Sequence, residues 1–477
     1  MVGFETGHTV KLTPDGTRGD EAVHFVGISG IGMSALARIL LQRGCAVSGS
    51  SDRRTELTDR LEREGARIAI GHAAAHVAGA TTVVVSTAIA RDNPEYAAAL
   101  ERGIAIVHRG ALLAKLMSER RGIAIAGTHG KTTTTAMLAC VLEAGGLDPT
   151  VLVGGERMNT QSNARDGAGA WLVSEADESD FSFLDLRPEI AVVTNIENDH
   201  IASDADLPRL VAAFERFAAN LPPHGHAYVG IDEARAAALA GRARDAQTHT
   251  FGFGERANVR AVEVAYADFG SRFAVTVDGV RAGEIRLGVP GAINVLDALP
   301  GIAIGLDLGV PFATIARALQ LYSGVRRRFE IVARTARMTV VDDYAHHPTA
   351  VAATIAAARA NFAGPIVVAF QPHRYSRTHY LALDFAHALR GADCVVLTDI
   401  YAASEAPLPD VDATAIGKPL AALGTPVAYV ADVATLPAYL AAHAPAGALV
   451  LVLGAGSITL AAAMLGRLVA SAAELAS

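Results

Sequence analysis

Gly127-Thr128-His129-Gly130-Lys131-Thr132-Thr133 lies between a short apolar run, Ile123-Ala124-Ile125-Ala126, and a stretch from Thr134 to Leu142 with the length and apolar spacing of a helix. The order is strand, glycine turn, helix. In such a turn the glycines let backbone N–H groups close around a phosphate, and the helix N-terminus adds positive potential. A lysine then reaches the outer phosphates and the next hydroxyl takes a magnesium ligand position. Gly127 to Thr133 therefore reads as a nucleoside-triphosphate loop. It departs from G-x-x-x-x-G-K-[ST], because Ile125 stands five positions before Gly130 and the first glycine only three before. The competing reading, a glycine turn with a solvated lysine, is disfavoured by the strand before it and the helix after it.

At 477 residues the chain is too long for one hydrophobic core. With 51% hydrophobic and 19% charged residues it is an ordinary globular sequence, and a formal net charge of −8 argues against nucleic acid as a standing partner. Cys45, Cys140 and Cys394 lack C-x-x-C spacing and read as buried thiols in a reducing, cytoplasmic compartment. Met1 to Asp20 is polar, without the apolar core of a signal peptide. Ala446 to Leu465 is the one stretch apolar enough to suggest membrane insertion. Its Gly454-Ala455-Gly456-Ser457 centre splits it into strand, turn and helix, each too short to span.

Upstream, Val23-His24-Phe25-Val26 runs into Gly27-Ile28-Ser29-Gly30-Ile31-Gly32-Met33 and a helical run from Ser34 to Arg43. The next strand ends in Ser50-Ser51-Asp52, about twenty residues after the glycines, where a dinucleotide site keeps an acid for ribose hydroxyls. A Rossmann dehydrogenase is thus one candidate, but G-x-x-G-x-G is not G-x-G-x-x-G, and the turn reads better as a seat for a nucleotide's phosphates. Further strands at Ala66–Ile70, Thr82–Ser86 and Ala105–Val107 complete a βα-repeated first domain, predicted over residues 20–118.

In the central block, predicted over 119–325, Trp171-Leu172-Val173-Ser174 ends in Glu175-Ala176-Asp177-Glu178-Ser179-Asp180, and Ile190 to Asn195 runs into Ile196-Glu197-Asn198-Asp199-His200. If both strands parallel the phosphate-loop strand, their acidic ends share its edge, where oxygen ligands hold magnesium beside phosphates. Short alternating runs between residues 225 and 288, with a turn at Asp278-Gly279, predict an accessory antiparallel sheet. The last block, predicted over 326–477, follows the basic Arg326-Arg327-Arg328 and alternates strands with helices as a doubly wound unit. Two of its strand ends are densely polar: Asp342-Asp343-Tyr344-Ala345-His346-His347-Pro348 and Gln371-Pro372-His373-Arg374-Tyr375-Ser376-Arg377-Thr378. Arginine pairs suit carboxylate and phosphate recognition. Adjacent His346 and His347 diverge, and no further spacing supports a metal there.

Taken in order, these stretches, together with Ser86-Thr87-Ala88-Ile89 and Asn93-Pro94-Glu95, resemble the Mur ligase family from Val23 to Leu468, in particular its members that join L-alanine to UDP-N-acetylmuramate. The resemblance implies three α/β domains: a Rossmann-like N-terminal domain for the sugar nucleotide, a central P-loop-type ATPase domain and a doubly wound C-terminal domain for the amino acid. It implies ATP and Mg2+ as cofactors, UDP-N-acetylmuramate and L-alanine as substrates, and a monomer or homodimer. By motif position Lys131 would neutralise the β/γ oxygens, Thr132 and Glu175 would ligate one magnesium, and His200 a second. Asn294 and Arg327 would join the loop in holding ATP. Gly27, Ser29, Gly30, Ile31, Gly32, Ser50, Ser86 and Asn93 would contact the sugar nucleotide. His346, Arg374 and Arg377 would lie near the amino acid or the transferred phosphate.

Three departures accompany the resemblance. Ile293 and Asp297 stand where the family pattern has a histidine and a second asparagine, the acid of Val-x-Gly-Ser-Asp is displaced by one to Asp52, and Ala350 ends the His-His-Pro-Thr stretch. The alternatives are a sister ligase that attaches murein tripeptide to the same sugar nucleotide, and a sugar-nucleotide-binding paralogue without turnover.

Overall fold

The structure is a computed structural model that describes residues 21–198, 207–242 and 247–476. The chain begins with β1 (Ala22–Val26), α1 (Ile31–Gln42), β2 (Ala46–Ser51), α2 (Glu56–Arg63), β3 (Arg67–Ile70), β4 (Thr82–Val85), α3 (Pro94–Glu101), β5 (Ala105–His108) and α4 (Arg109–Ser118). The strands form a parallel sheet in the order β3-β2-β1-β4-β5. Winding reverses between β1 and β4, and such a reversal opens a crevice at the strands' carboxyl ends. The glycine turn 27–32 leaves β1 there. The helix after it starts at Ile31 rather than Ser34, because extended Gly30 already serves as its N-cap.

Next come β6 (Arg121–Ala126), α5 (Lys131–Ala144), β7 (Thr150–Arg157), β8 (Ser162–Arg165), β9 (Trp171–Glu175), β10 (Ile190–Val193), α6 (Leu207–Ala219), β11 (His226–Gly230), α7 (Ala234–Ala240) and β12 (Gln247–Gly252). Their sheet runs β12-β11-β10-β6-β9-β7-β8, parallel except for β8. β6, β9 and β10 read as nearly continuous apolar runs because helices cover both faces. Register pairs Ile125 with Glu175 and Ala126 with Val193, so both acidic strand ends do share the phosphate-loop edge.

The described residues up to 260, except Asn198, together with 299–315, make one compact unit. Inside it α1 is fastened to the β7–β8 hairpin by buried polar groups. Arg38, 2% exposed, donates to Glu64 at 2.7 Å, to Ser162 at 3.2 Å and to the Asn163 carbonyl. The Asn163 amide donates to the Ile31 carbonyl at 2.9 Å and to Ser34 Oγ at 3.0 Å. Arg43, bonded to Asp166 and Glu119, and Arg60, bonded to Glu156, extend this seam.

Asn198, residues 261–298 and residues from 316 onward make a second unit. β13 (Val259–Ala267) passes from one unit to the other, and β14 (Gly270–Val277) and β15 (Val280–Leu287) form the expected hairpin. At its tip Asp278 (φ 48°) and Gly279 (φ 80°) both have positive φ, the geometry that suits a tight hairpin. α8 (Ala292–Asp307) also crosses between units and is followed by α9 (Phe312–Leu321). Compact grouping therefore cuts through β13 and α8, whereas the sequence reading placed its boundary at 325/326.

The last sheet runs β16-β17-β21-β18-β19-β20, built from β16 (Glu330–Arg334), β17 (Met338–Asp343), β18 (Ile366–Phe370), β19 (Cys394–Leu397), β20 (Val427–Tyr429) and β21 (Ala448–Leu453). Only β16 is antiparallel to its neighbour. Between these strands and after them lie α10 (Pro348–Asn361), α11 (Tyr375–Tyr380), α12 (Ala382–Leu389), α13 (Thr414–Ala422), α14 (Leu436–His443) and α15 (Thr459–Ala476). Alternate residues feed two cores, Val341, Phe370 and Leu451 on one face and Val340, Ala369 and Val450 on the other. The apolar stretch 446–465 is β21, a turn and the start of α15, and no helix among the described residues is long and apolar enough to cross a membrane.

Asn163→Ala takes a buried acceptor from Arg38 and one of two donors from the Ile31 carbonyl, which keeps Ser34 Oγ. The loss should cost about 1–3 kcal/mol, read as a lower urea midpoint with an unchanged slope.

Candidate active site

The phosphate loop is shaped by a close approach. Gly127 has φ +131°, and a Cβ there would stand 2.0 Å from Thr194 Oγ1. The segment after β10 then braces the loop residue by residue. Thr194 Oγ1 donates to the His129 carbonyl at 2.6 Å, Asn195 Oδ1 accepts from His129 N at 2.9 Å, and Thr128 Oγ1 accepts from Glu197 N at 2.8 Å. Gly130, left-handed at φ 84°, turns the chain into α5. Lys131 is the first residue of that helix. Its Nζ donates to the Gly127 carbonyl at 2.5 Å and lies 2.8 Å from Glu178.

Burial works against the charge on Lys131, yet Glu178 and Asp177 hold its pKa above the ordinary lysine value. Burial pushes the Glu178 carboxyl up to about 7 against the pull of Lys131. Thr132 Oγ1 donates to Glu175 Oε2 at 3.2 Å, and the other Glu175 oxygen accepts from Gly154 N. A Cβ at Gly154 would lie 2.5 Å from the Glu175 carboxylate, so glycine is needed there. A hydroxyl and an oriented carboxylate at one strand edge are hard oxygen donors of the kind magnesium takes. Thr133 is buried in the first turn behind them. His200 lies outside the described residues.

At the glycine turn of the first sheet, Gly27 has φ 76°, Gly30 and Ile31 are exposed, and Ser29 accepts from Ser51 Oγ at 2.9 Å. Ser86 is half-buried at the end of β4. Two residues predicted to contact the donor have partners within the chain. Asn93 caps α3, its Oδ1 accepting from Glu95 N at 2.9 Å. Ser50 is fully buried and donates to Glu95 Oε2 at 2.6 Å. Glu95 is itself fully buried, meeting His76 at 2.6 Å, His72 at 3.1 Å and His24 at 3.6 Å. Burial opposes its charge, but hydrogen bonds from His24, Ser50, His72 and His76 hold its pKa down at about 2.

In the second unit, Arg327 (φ 61°) donates to the Gly454 carbonyl at 2.5 Å and lies over the Tyr344 ring. His346 Nδ1 meets the Tyr344 carbonyl at 2.8 Å, and its ring packs edge-on against His373, 5.6 Å between centroids. Arg377, 8% exposed, places Nη1 3.3 Å from His373 Nδ1. Those groups converge at the ends of β17 and β18. Arg374 is directed instead toward Glu405 at 3.8 Å, with a backbone φ of +70°. Asn294 donates to the Pro290 carbonyl at 2.6 Å in the opening of α8, and Asp297 is buried one turn on. Beneath the site, burial raises Asp342 to about 6, with Thr459 donating to it at 2.6 Å.

Residues 22–121 match the Mur ligase family, catalytic domain; residues 125–305 match the Mur ligase middle domain; and residues 327–456 match the Mur ligase, glutamate ligase domain. The chain belongs to the Mur ligase family. Within that family, UDP-N-acetylmuramate--L-alanine ligase of Acidithiobacillus ferrooxidans is 49% identical, over 91% of this chain and 95% of its own length. The ligase of the same name from Geotalea uraniireducens is 44% identical, over 92% and 96%. The crystal structure of the Thermotoga maritima UDP-N-acetylmuramate-alanine ligase superposes with a TM-score of 0.82 at 31% identity, covering 94% of this chain and 99% of that one.

Several site residues were not singled out from sequence: Asn195 as the brace of the loop, Arg109 against the acidic turn, and Glu95 among its histidines. Asn195 and Glu95 stood inside stretches quoted for other reasons, and Arg109 carried no visible signal.

Glu95 supplies a pH test. A carboxylate with a depressed folded pKa contributes stability above its unfolded value, and that contribution is lost as pH falls toward about 2. Glu95→Gln should therefore be destabilised at neutral pH, with its gap to the wild type constant down to about pH 4.5 and narrowing below, measured by urea unfolding.

Proposed function

We propose that this protein joins L-alanine to the lactyl carboxylate of UDP-N-acetylmuramate, with ATP converted to ADP and phosphate, in the cytoplasmic synthesis of peptidoglycan precursors. The near-full-length relatives that carry this name support the substrates. The observation that carries the chemistry is the meeting of Lys131, Thr132 and Glu175 at one sheet edge.

An oxygen of the donor carboxylate attacks the γ-phosphorus, the bond to the β-bridging oxygen breaks, and ADP leaves. The amine of L-alanine then attacks the carbonyl carbon of the acyl phosphate, phosphate departs and the nitrogen loses a proton. Lys131 meets the charge on the outer phosphate oxygens, aided by loop N–H groups fixed by Thr194 and Asn195. Thr132 and Glu175 would hold magnesium, which when bound neutralises phosphate oxygens. Gly154 N–H keeps the Glu175 carboxylate in its orientation. His346, Arg374 and Arg377 serve the amino acid or the transferred phosphate, with Arg377 preset by its contact with His373.

Phosphate release from ATP, magnesium and UDP-N-acetylmuramate should require L-alanine and should fall by about two to three orders of magnitude in Lys131→Ala. Release that requires murein tripeptide instead would move the protein to the sister activity. No release with either acceptor would favour a binding protein.

A further inference from the structure

Arg109 begins α4, directly after its N-cap His108. The next residue, Gly110, lets this helix lie against Ser182, because a Cβ at 110 would come within 2.5 Å of the Ser182 Cβ. The Arg109 side chain is thereby sent between two features that the proposed reaction uses. On one side its Nη2 donates to Asp177 at 2.7 Å and to Asp180 at 2.8 Å, in the acidic turn after β9. On the other, Nη1 lies 3.3 Å from the place a Gly32 Cβ would take, in the first turn of α1. One nitrogen thus serves both carboxylates, while Nη1 and Nε donate to no described residue. The side chain is 23% exposed.

Both planar forks of a guanidinium, Nε with Nη2 and Nη1 with Nη2, include the nitrogen that the aspartates hold, so Nη1 is left to make a single charge-assisted bond to a phosphate oxygen. We infer that Arg109 is a donor-binding residue, whose Nη1 donates to a diphosphate oxygen of the sugar nucleotide while Nη2 keeps its hold on Asp177. This rests on the reading that the glycine turn 27–32 seats the donor. The backbone N–H groups of the first turn of α1 meet the diphosphate from one side and the guanidinium meets it from the other. Because Asp177 also faces Lys131, the same side chain ties the donor to the phosphate loop. Glycine at 32 lets Nη1 lie this close to the turn, since a Cβ there would make the guanidinium give by a few tenths of an ångström.

The test is calorimetric titration of UDP and of UDP-N-acetylmuramate, without ATP, into the wild type, Arg109→Met, Arg109→Lys and the double variant Asp177→Asn with Asp180→Asn. Arg109→Met should weaken UDP binding roughly tenfold to a hundredfold, and Arg109→Lys by less, since it keeps the charge. The double variant should bind UDP at least as tightly as the wild type, since it releases the guanidinium and removes two nearby negative charges. In turnover, KM for the donor should rise in Arg109→Lys while KM for ATP holds. Unchanged UDP affinity in Arg109→Met overturns the inference. So does an equal loss in the double variant, which would make Arg109 a brace for the acidic turn alone. Should Arg109→Met fail to fold, Arg109→Lys carries the comparison. A wild-type protein that binds neither UDP nor UDP-N-acetylmuramate would instead overturn the donor reading itself.

Discussion

The contact of Gly127 with Thr194 sets the position of the phosphate loop, and the rest of the site is built outward from it. No side chain fits between the loop backbone and the start of the segment after β10. The loop therefore lies against Thr194 and Asn195, which take its polar groups, and this fixes the direction in which α5 leaves. Lys131 is delivered to the carboxyl edge of β6 by that direction. In a parallel sheet the neighbouring strand ends arrive at the same edge, so Glu175 comes within reach of Thr132 through register alone.

Charge is managed here by pairing. Lys131 is held among Gly127, Thr128 and Glu178, Asp177 faces both Lys131 and Arg109, and Arg109 reaches the glycine turn of the first sheet. A buried charge without a partner is costly, and a chain of partners removes that cost while aligning the groups that must meet phosphates. Within the first unit two separate links thus run between the glycine turn and the phosphate loop. One is electrostatic, through Arg109. The other is a packed seam, in which Asn163 on the β7–β8 hairpin grips the first turn of α1 while Gly154 on β7 holds Glu175.

Much of the architecture was legible. Ile366–Phe370 and Cys394–Leu397 are strands with the limits their apolar runs suggest, and Asp278-Gly279 is the tip of a hairpin. β7, β8, β16 and β20 were not recognised, being short, edge-lying or broken by polar residues and glycine, so their periodicity is weak. Ser50 and Asn93 have partners within the chain that position alone did not give. Both occur in stretches that resemble the family, yet one hydroxyl is turned inward to Glu95 and the other side chain caps a helix.

By itself the sequence determined the alternation of strands and helices, the glycine turns and the chemical kind of residue at each strand end, because these depend on neighbours a few positions away. Tertiary structure alone decided which polar groups meet: Arg109 with Asp177, Glu95 with His24, Arg38 with Asn163. Those partners are separated along the chain by 68, 71 and 125 positions, respectively. No local pattern encodes such a pairing, since it follows from sheet order and helix packing, which close only when the whole unit folds.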